Sequence, residues 1–235
     1  LFVKYGERKM SKIIVTGSSS GLGKALVTQL SMAQHDVISF DLKAGCDVRD
    51  PQGTWGNPPE EVDVLINCAG INITNWLENV TDKDWDDTME INAKGIFKMT
   101  QWALPRLKAS KGAVVNIVSN ASHMPMTTSL AYNASKGAAH IMTLQLAREL
   151  SRAHGITVFG VSPNKLRGTG MSKDIEMQVV KHRGWTPEFA AQYQLNALLA
   201  GAETEPSVLA EFIAFLLSSK ERHIFLSGCI IPYGA

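Results

Sequence analysis

Ile13-Ile14-Val15-Thr16-Gly17-Ser18-Ser19-Ser20-Gly21-Leu22-Gly23 is the stretch whose reading decides the fold. A β-branched run ends in a glycine-rich turn, after which Leu22, Ala25, Leu26, Gln29 and Leu30 follow helical spacing. Gly17 permits a sharp exit from the strand. Gly21 and Gly23 remove side chains where backbone approaches a diphosphate and where helix packs on strand. The helix N-terminus offers free N–H groups and partial positive charge to that anion. Gly17, Ser19, Ser20, Gly21, Leu22 and Gly23 therefore read as a dinucleotide phosphate loop, with a purely structural turn as the alternative.

Outward from this loop, short β-branched runs alternate with helical patterns. Strands are expected at 12–15, 37–40, 64–67, 114–118, 157–161 and around 229–231, and longer helices at 84–108, 131–153 and 207–218. Such alternation implies right-handed βαβ units, hence an α/β fold: one Rossmann-type, doubly wound parallel sheet of about seven strands with helices on both faces. Residues 42–62 carry Pro51, Gly53, Gly56, Pro58 and Pro59, so one sheet edge is expected to be abbreviated. Residues 164–206 form a long mixed insertion with short helical patterns at 175–182 and 187–199, expected to fold over a cleft as a substrate lid. The domain is taken as residues 10–235, with residues 1–9 as an N-terminal extension.

Composition narrows the function. A net charge of +1, with both signs intermixed, argues against partners recognised through bulk charge, so neither nucleic acid nor a membrane surface is expected. No apolar run reaches the length of a membrane span. Cys46, Cys68 and Cys229 form no C-x-x-C pair and have no histidine cluster beside them, which implies free thiols in a reducing, cytoplasmic compartment and no metal site.

Asp41 ends the second strand, 20 residues beyond Gly21, where a carboxylate can accept hydrogen bonds from ribose hydroxyls and would repel a 2′-phosphate. NAD is therefore expected over NADP. Tyr132 and Lys136 are four residues apart on a helix and share one face. A neighbouring ammonium favours the phenolate and makes a better base of a side chain whose ordinary pKa is about 10. Ser119 closes the 114–118 strand at the carboxyl edge of the sheet, where ligands bind, with Ser122 as the other serine in reach. Asn92 falls on an otherwise apolar helical stripe with Trp85, Met89 and Ile96, either as a functional group or as a satisfied structural asparagine. His123 is a pocket residue or an ordinary loop histidine. Met171, Ile175, Met177, Trp185, Phe189 and Tyr193 either line the inner face of the lid or simply pack.

Taken together, the glycine loop, Asp47-Val48, Asn67-Cys68-Ala69-Gly70, Asn92, Ser119 and Tyr132-Asn133-Ala134-Ser135-Lys136 occur in the order of the short-chain dehydrogenase/reductase family, which the chain resembles from Lys12 onward. The resemblance implies Tyr132 as the acid/base, Lys136 as the group that lowers its pKa and binds the nicotinamide ribose, Ser119 as the carbonyl-orienting hydroxyl, and Asn92 as the residue at a helix irregularity in the proton relay. It places Asp47 and Val48 at the adenine, Asn67, Ala69 and Gly70 along the adenosine side, and Pro163 and Thr169 near the nicotinamide. Cys68, Asn164 and the terminal Pro232-Tyr233-Gly234-Ala235 depart from the family pattern. Helices 84–108 and 131–153 resemble those that build subunit interfaces, which implies a homo-tetramer or homo-dimer. The activity implied is interconversion of a secondary alcohol and a ketone by hydride transfer with NAD. A non-catalytic NAD-binding regulator, and a lyase or isomerase on the same fold, are the rival readings.

Overall fold

In the computed structural model, which describes residues 10–234, the strands are β1 (Lys12–Thr16), β2 (Asp36–Phe40), β3 (Val64–Asn67), β4 (Ala113–Ile117), β5 (Thr157–Pro163) and β6 (Ile230–Tyr233). They form one parallel sheet in the order β2-β1-β3-β4-β5-β6. The principal helices are α1 (Gly21–Met32), α2 (Pro51–Trp55), α3 (Asp82–Met89), α4 (Gly95–Ser110), α5 (Leu130–His154), α6 (Gly170–Arg183), α7 (Pro187–Asn196) and α8 (Pro206–Leu217). The extension expected at residues 1–9 lies outside the described residues.

Both faces of the sheet are buried, which is why its strands read as continuous apolar runs. Ile13, Val15 and Ile66 pack with Leu26 and Leu30 of α1 and with Leu209 and Ile213 of α8. Ile14, Leu65 and Val114 turn the other way, onto Met99, Ala103 and Leu107 of α4 and Leu150 of α5. No helix among the described residues is long and apolar enough to cross a membrane.

Six strands stand where about seven were expected, and the shortfall is at the predicted edge. Between Phe40 and Val64 the prolines and glycines leave room only for a 3-10 turn at Leu42–Ala44 and the single turn and a half of α2. An aromatic plug covers this side. Trp55 stacks on Phe40 at 4.9 Å, Trp102 meets the same ring edge-on at 5.8 Å, and Trp102 Nε1 donates to the Gly56 carbonyl at 2.7 Å.

The helix expected at 84–108 is not continuous either. A π-helical turn at Glu90–Lys94 separates α3 from α4. One extra residue in a turn rotates everything beyond it by about 100°. Trp85, predicted on the inner stripe, is consequently 38% exposed, while Thr88 and Asn92 are buried.

Because β1 lies between β2 and β3, the chain leaves it first to one side and then to the other. The crevice this opens at the carboxyl ends of β1 and β3 is where open α/β sheets bind ligands.

Candidate active site at the carboxyl edge of the sheet

The turn after β1 is shaped by backbone crowding. Gly17 has φ +67°, and a Cβ there would lie 2.8 Å from the Ala69 Cα. A Cβ on Gly23 would lie 2.1 Å from the Gly17 carbonyl oxygen, so α1 begins in contact with the strand that precedes it. Thr16 Oγ accepts from the Cys68 and Ala69 amides (2.9 and 3.0 Å) and thereby ties the loop after β3 to the end of β1. Ser20 is the extended residue before α1, and Leu22 anchors the helix in the core. The result is a tight backbone cradle with small side chains in front of a helix N-terminus, which fits a diphosphate. Thr169, which caps α6, reaches this cradle: a Cβ on Gly21 would meet its methyl group at 3.4 Å.

Asp41 stands beside the cradle. Its carboxylate accepts from the Ser19 and Lys43 amides, both at 2.9 Å. Partial burial pushes its pKa up, but these hydrogen bonds outweigh that and hold it below the ordinary value, so it is an anion at neutral pH. Asp47 is instead gripped by Arg49, whose Nε and Nη2 approach it at 2.9 and 2.6 Å, and the Val48 side chain is buried in the core. The Asn67 carboxamide points inward to Asn116 (2.8 Å), and a buried relay continues from there to Thr143. Of the residues assigned to the adenosine side, Asp47, Val48 and Asn67 therefore commit their side chains to the protein.

Ser119, Tyr132 and Lys136 converge. Ser119 follows β4 and interacts through its hydroxyl with the Tyr132 phenol, while α5 presents Tyr132 and Lys136, both buried, on one face. Lys136 Nζ donates to the Ile117 carbonyl at 2.9 Å and lies 5.8 Å from the centre of the phenol ring. Sequence proximity predicts that Lys136 lowers the Tyr132 pKa, and the ligand-free chain differs. Burial pushes the phenol up, a hydrogen bond from Ser119 offsets only part of this, and the ammonium is directed to a backbone carbonyl. Cys68, where the family pattern has Asn, is half-buried with its thiol enclosed near Lys136, and burial pushes that thiol up to about 12.

The π-turn aims Asn92 at the same place. Its Oδ1 accepts from the Ile71 amide (2.8 Å), and its Nδ2 donates to the Ile71 carbonyl (2.8 Å) and to Ser135 Oγ (3.0 Å). Asn92 thus joins the loop after β3 to α5 one turn from Tyr132. Gly70 sits between them, where a Cβ would be 3.2 Å from Asn92 Oδ1 and 3.8 Å from Lys136 Nζ.

Lys136 carries a stability prediction. Burial pushes its ammonium from an ordinary value near 10.5 down to about 8, a fall worth roughly 3 kcal/mol. A lysine depressed in the folded state binds fewer protons there than in the unfolded chain, so stability rises with pH between about 8 and 10.5 and the full penalty applies below 8. Lys136→Met is expected to remove that penalty and to leave the Ile117 carbonyl unpaired, which costs about 1–3 kcal/mol. Urea titrations at pH 7 should find the variant as stable as the wild type or more so, and the advantage should shrink as the pH approaches 10.5.

The mouth of the site has partners that the sequence did not disclose. Gln178 of α6 accepts from both the amide and the hydroxyl of Thr74 at 2.8 Å, Trp76 Nε1 donates to the His182 carbonyl at 2.9 Å, and Arg183 Nη2 donates to the Thr127 carbonyl at 2.8 Å. Asn75 and Thr128, on the two opposing loops, are joined by a 2.7 Å backbone bond. Asn133 fixes the segment between Ser119 and Tyr132, donating to the Ala121 and Met124 carbonyls and accepting from the Met126 amide. Of these, only Asn133 lay inside a recognised motif; long side chains such as Gln178 carry no sequence signal of their partners.

Ser122 is engaged elsewhere, by the Nδ1 atoms of His123 and His140 at 3.1 Å each. Trp185, Phe189 and Tyr193 pack on one another, with Phe189 and Tyr193 still more than half exposed. Asn164, which departs from the family pattern, is held by its side chain: its Oδ1 accepts from Thr204, and its Nδ2 crowds the place where a Cβ on Gly234 would stand. Among the described residues no cluster of three or more His, Cys, Asp or Glu could hold a metal.

Comparison with known proteins places the chain in a family. A family model described as short chain dehydrogenase matches residues 52–179. The 2,3-dihydro-2,3-dihydroxybenzoate dehydrogenase of Escherichia coli is 31% identical over 182 residues, covering 75% of this chain and 70% of that protein. A 3-oxoacyl-[acyl-carrier-protein] reductase of Staphylococcus epidermidis is 27% identical over 242 aligned positions, covering 90% and 93%. A short chain dehydrogenase family protein from Francisella tularensis superposes with a TM-score of 0.80 over 95% of this chain and 97% of that one, at 23% identity, and so bears on the fold alone. The chain belongs to the short chain dehydrogenase family, whose members are oxidoreductases built on an NAD(P)-binding fold and acting on CH–OH or keto groups.

Proposed function

We propose that this chain interconverts a secondary alcohol and a ketone with NAD(H), and that the convergence of Ser119, Tyr132 and Lys136 beside the glycine cradle carries that activity. When bound, the dinucleotide supplies or takes up the hydride. Gly17, Ser19, Ser20, Gly21, Leu22 and Gly23 hold its diphosphate on the α1 N-terminus, with Thr169 at the same cradle and Pro163 leading to it. Asp41 takes the adenosine ribose, and its negative charge favours NAD over NADP. Ala69 and Gly70 border the bed with backbone alone, and Asp47 and Val48 reach the base through their main chain.

Tyr132 exchanges a proton with the substrate oxygen. A phenol that burial keeps protonated can donate its proton to the oxygen of a ketone as hydride arrives. Ser119, already a partner of that phenol, shares the substrate oxygen with it and orients the carbonyl. Lys136 holds ribose hydroxyls, and Asn92 keeps the loop wall and α5 in register. Residues 164–206 act as the lid over the cleft, held shut by the bonds from Gln178, His182 and Arg183.

The test is absorbance at the reduced-nicotinamide band with NAD or NADP and a broad panel of secondary alcohols and ketones. Wild-type protein is expected to turn over at least one member faster with NAD, and Ser119→Ala to lower kcat by about 10²-fold with little change in cofactor affinity. Cofactor binding without redox turnover anywhere in the panel would favour a regulator. Product formation without net absorbance change would favour a lyase or isomerase.

A further inference from the structure

Asp47, Val48 and Arg49 straddle the π-helical turn at Glu90–Lys94. Val48 packs on one flank of it: a Cβ on Gly95, the first residue of α4, would lie 2.8 Å from Val48 Cγ2. Arg49 holds the other flank. Its Nη1 stands 3.8 Å from Asp87 of α3, while Nε and Nη2 keep hold of Asp47 at 2.9 and 2.6 Å. The carboxylates of Asp47, Asp87 and Glu90 all push the pKa of this guanidinium up, so it is charged and also feels the first residue of the π-turn.

The inner side of the same turn leads to the phenol. Asn92 donates from Nδ2 to Ser135 Oγ at 3.0 Å, and Ser135 Oγ donates onward to the Tyr132 carbonyl at 2.8 Å. Asn92 and Ser135 are both buried, so water does not compete for these bonds. Contacts and helix together therefore run unbroken from the Asp47 carboxylate, through Arg49, Asp87, Asn92 and Ser135, to the backbone of Tyr132. A regular α-helix competes with a π-turn, so what clamps the flanks of the turn decides where Asn92 points.

We propose that Arg49 is a positioning residue through which an occupied adenosine end of the cleft sets the placement of Tyr132. The inference rests on the dinucleotide reading above, in which Asp47 and Val48 meet the base, and adds a coupling between the two ends of that site. A base lying against the main chain of residues 47 and 48 steadies their loop. Arg49 and Val48 pass this restraint to the flanks of the π-turn, and Asn92 and Ser135 pass it to α5. A guanidinium fork serves two carboxylates at once, which a single ammonium does not. Partly exposed ion pairs add little to stability, so losing this one is expected to show in the coupling and not in the fold.

The experiment uses AMP as the probe, and its first readout needs no substrate. In the wild type, saturating AMP is expected to slow amide hydrogen exchange of residues 90–94 and 133–136 by about threefold or more. Asp87→Asn frees α3 while Asp47 stays gripped, so it should bind AMP within about twofold of the wild type and lose the slowing. Arg49→Met should lose it too, and Arg49→Lys should not restore it. Lys83→Met, which removes the exposed partner of Asp87, should behave as the wild type. In a second readout, reduced nicotinamide mononucleotide is the hydride donor and a ketone from the panel the acceptor. AMP should then raise kcat by about fivefold or more in the wild type and by less than about twofold in Asp87→Asn. AMP that binds the wild type without slowing exchange at 90–94 overturns the proposal, as does slowing that survives in Asp87→Asn or Arg49→Met. Loss of the slowing in Lys83→Met overturns it as well, by assigning the effect to the charge of α3 alone, and so does turnover that AMP leaves unchanged. Failure of AMP to bind overturns it together with the placing of adenosine. Absent turnover with bound, exchange-slowing AMP upholds the coupling and counts against the oxidoreductase reading alone.

Discussion

Tyr132→Phe is expected to lower kcat in both directions by about 10³-fold, or about 4 kcal/mol of barrier, while leaving the fold and cofactor affinity intact. The ring is buried on α5, and Phe keeps its packing; only the hydroxyl that meets Ser119 is lost. Single-turnover hydride transfer, monitored by reduced-nicotinamide absorbance with cofactor at saturation, isolates the chemical step. Cofactor titration and a melting curve on the same preparation separate a lost proton donor from a damaged fold. Wild-type turnover by a folded, cofactor-binding Phe variant would remove the phenol from the mechanism and the proposed acid/base chemistry with it.

The second large effect is structural. Gly23→Ala places its new methyl 2.1 Å from the Gly17 carbonyl oxygen and 2.7 Å from the carbon of that carbonyl, and both are backbone atoms that no rotamer change can move aside. The cradle must open or α1 must shift along β1, and overpacking of this kind costs about 3 kcal/mol or more. For a domain of this size that lowers Tm by roughly 10 °C. Dinucleotide affinity should fall by at least tenfold in parallel, because the turn that spreads is the one proposed to hold the diphosphate. Gly170→Ala is the control: nothing lies within 4 Å of a Cβ there, its φ is unremarkable, and it opens α6. Its Tm should stay close to that of the wild type. A Gly23→Ala protein that melts with wild-type behaviour and binds NADH normally would contradict the crowding described for the loop.

Much of this architecture was legible in the sequence because buried parallel strands and glycine turns impose local rules. The runs around Ile14, Ile66 and Val115 could hardly be anything but covered strands, and the β1 turn needed its glycines for steric reasons that the structure bears out at Gly17 and Gly23. The poor helix between β2 and β3 could be foreseen from Pro51, Pro58 and Pro59. The abbreviated edge beside it was foreseen as well, but the stacking of Trp55 and Trp102 on Phe40 that covers this side was not, because it joins residues far apart in sequence. The spacing of Tyr132 and Lys136 placed both on one face, but it could not say that the ammonium would turn to the Ile117 carbonyl and leave burial to set the phenol. The helical stripe through Trp85 and Met89 failed because a period of 3.6 has no way to announce an inserted residue. Contacts such as Gln178 with Thr74, 104 positions apart in sequence, arise only once the chain is folded.

That inserted residue makes α3 and α4 a place where foldability and usefulness part company. A five-residue turn at Glu90–Lys94 is the weaker backbone arrangement, and deleting one position would let an uninterrupted α-helix run from Asp82 to Ser110. The shortened rod would be the tidier object, yet it would swing Asn92 away from Ile71 and Ser135 and uncouple two walls that its amide holds together. A variant shortened by one position here is therefore expected to gain helix regularity and to lose the bridge between the loop after β3 and α5.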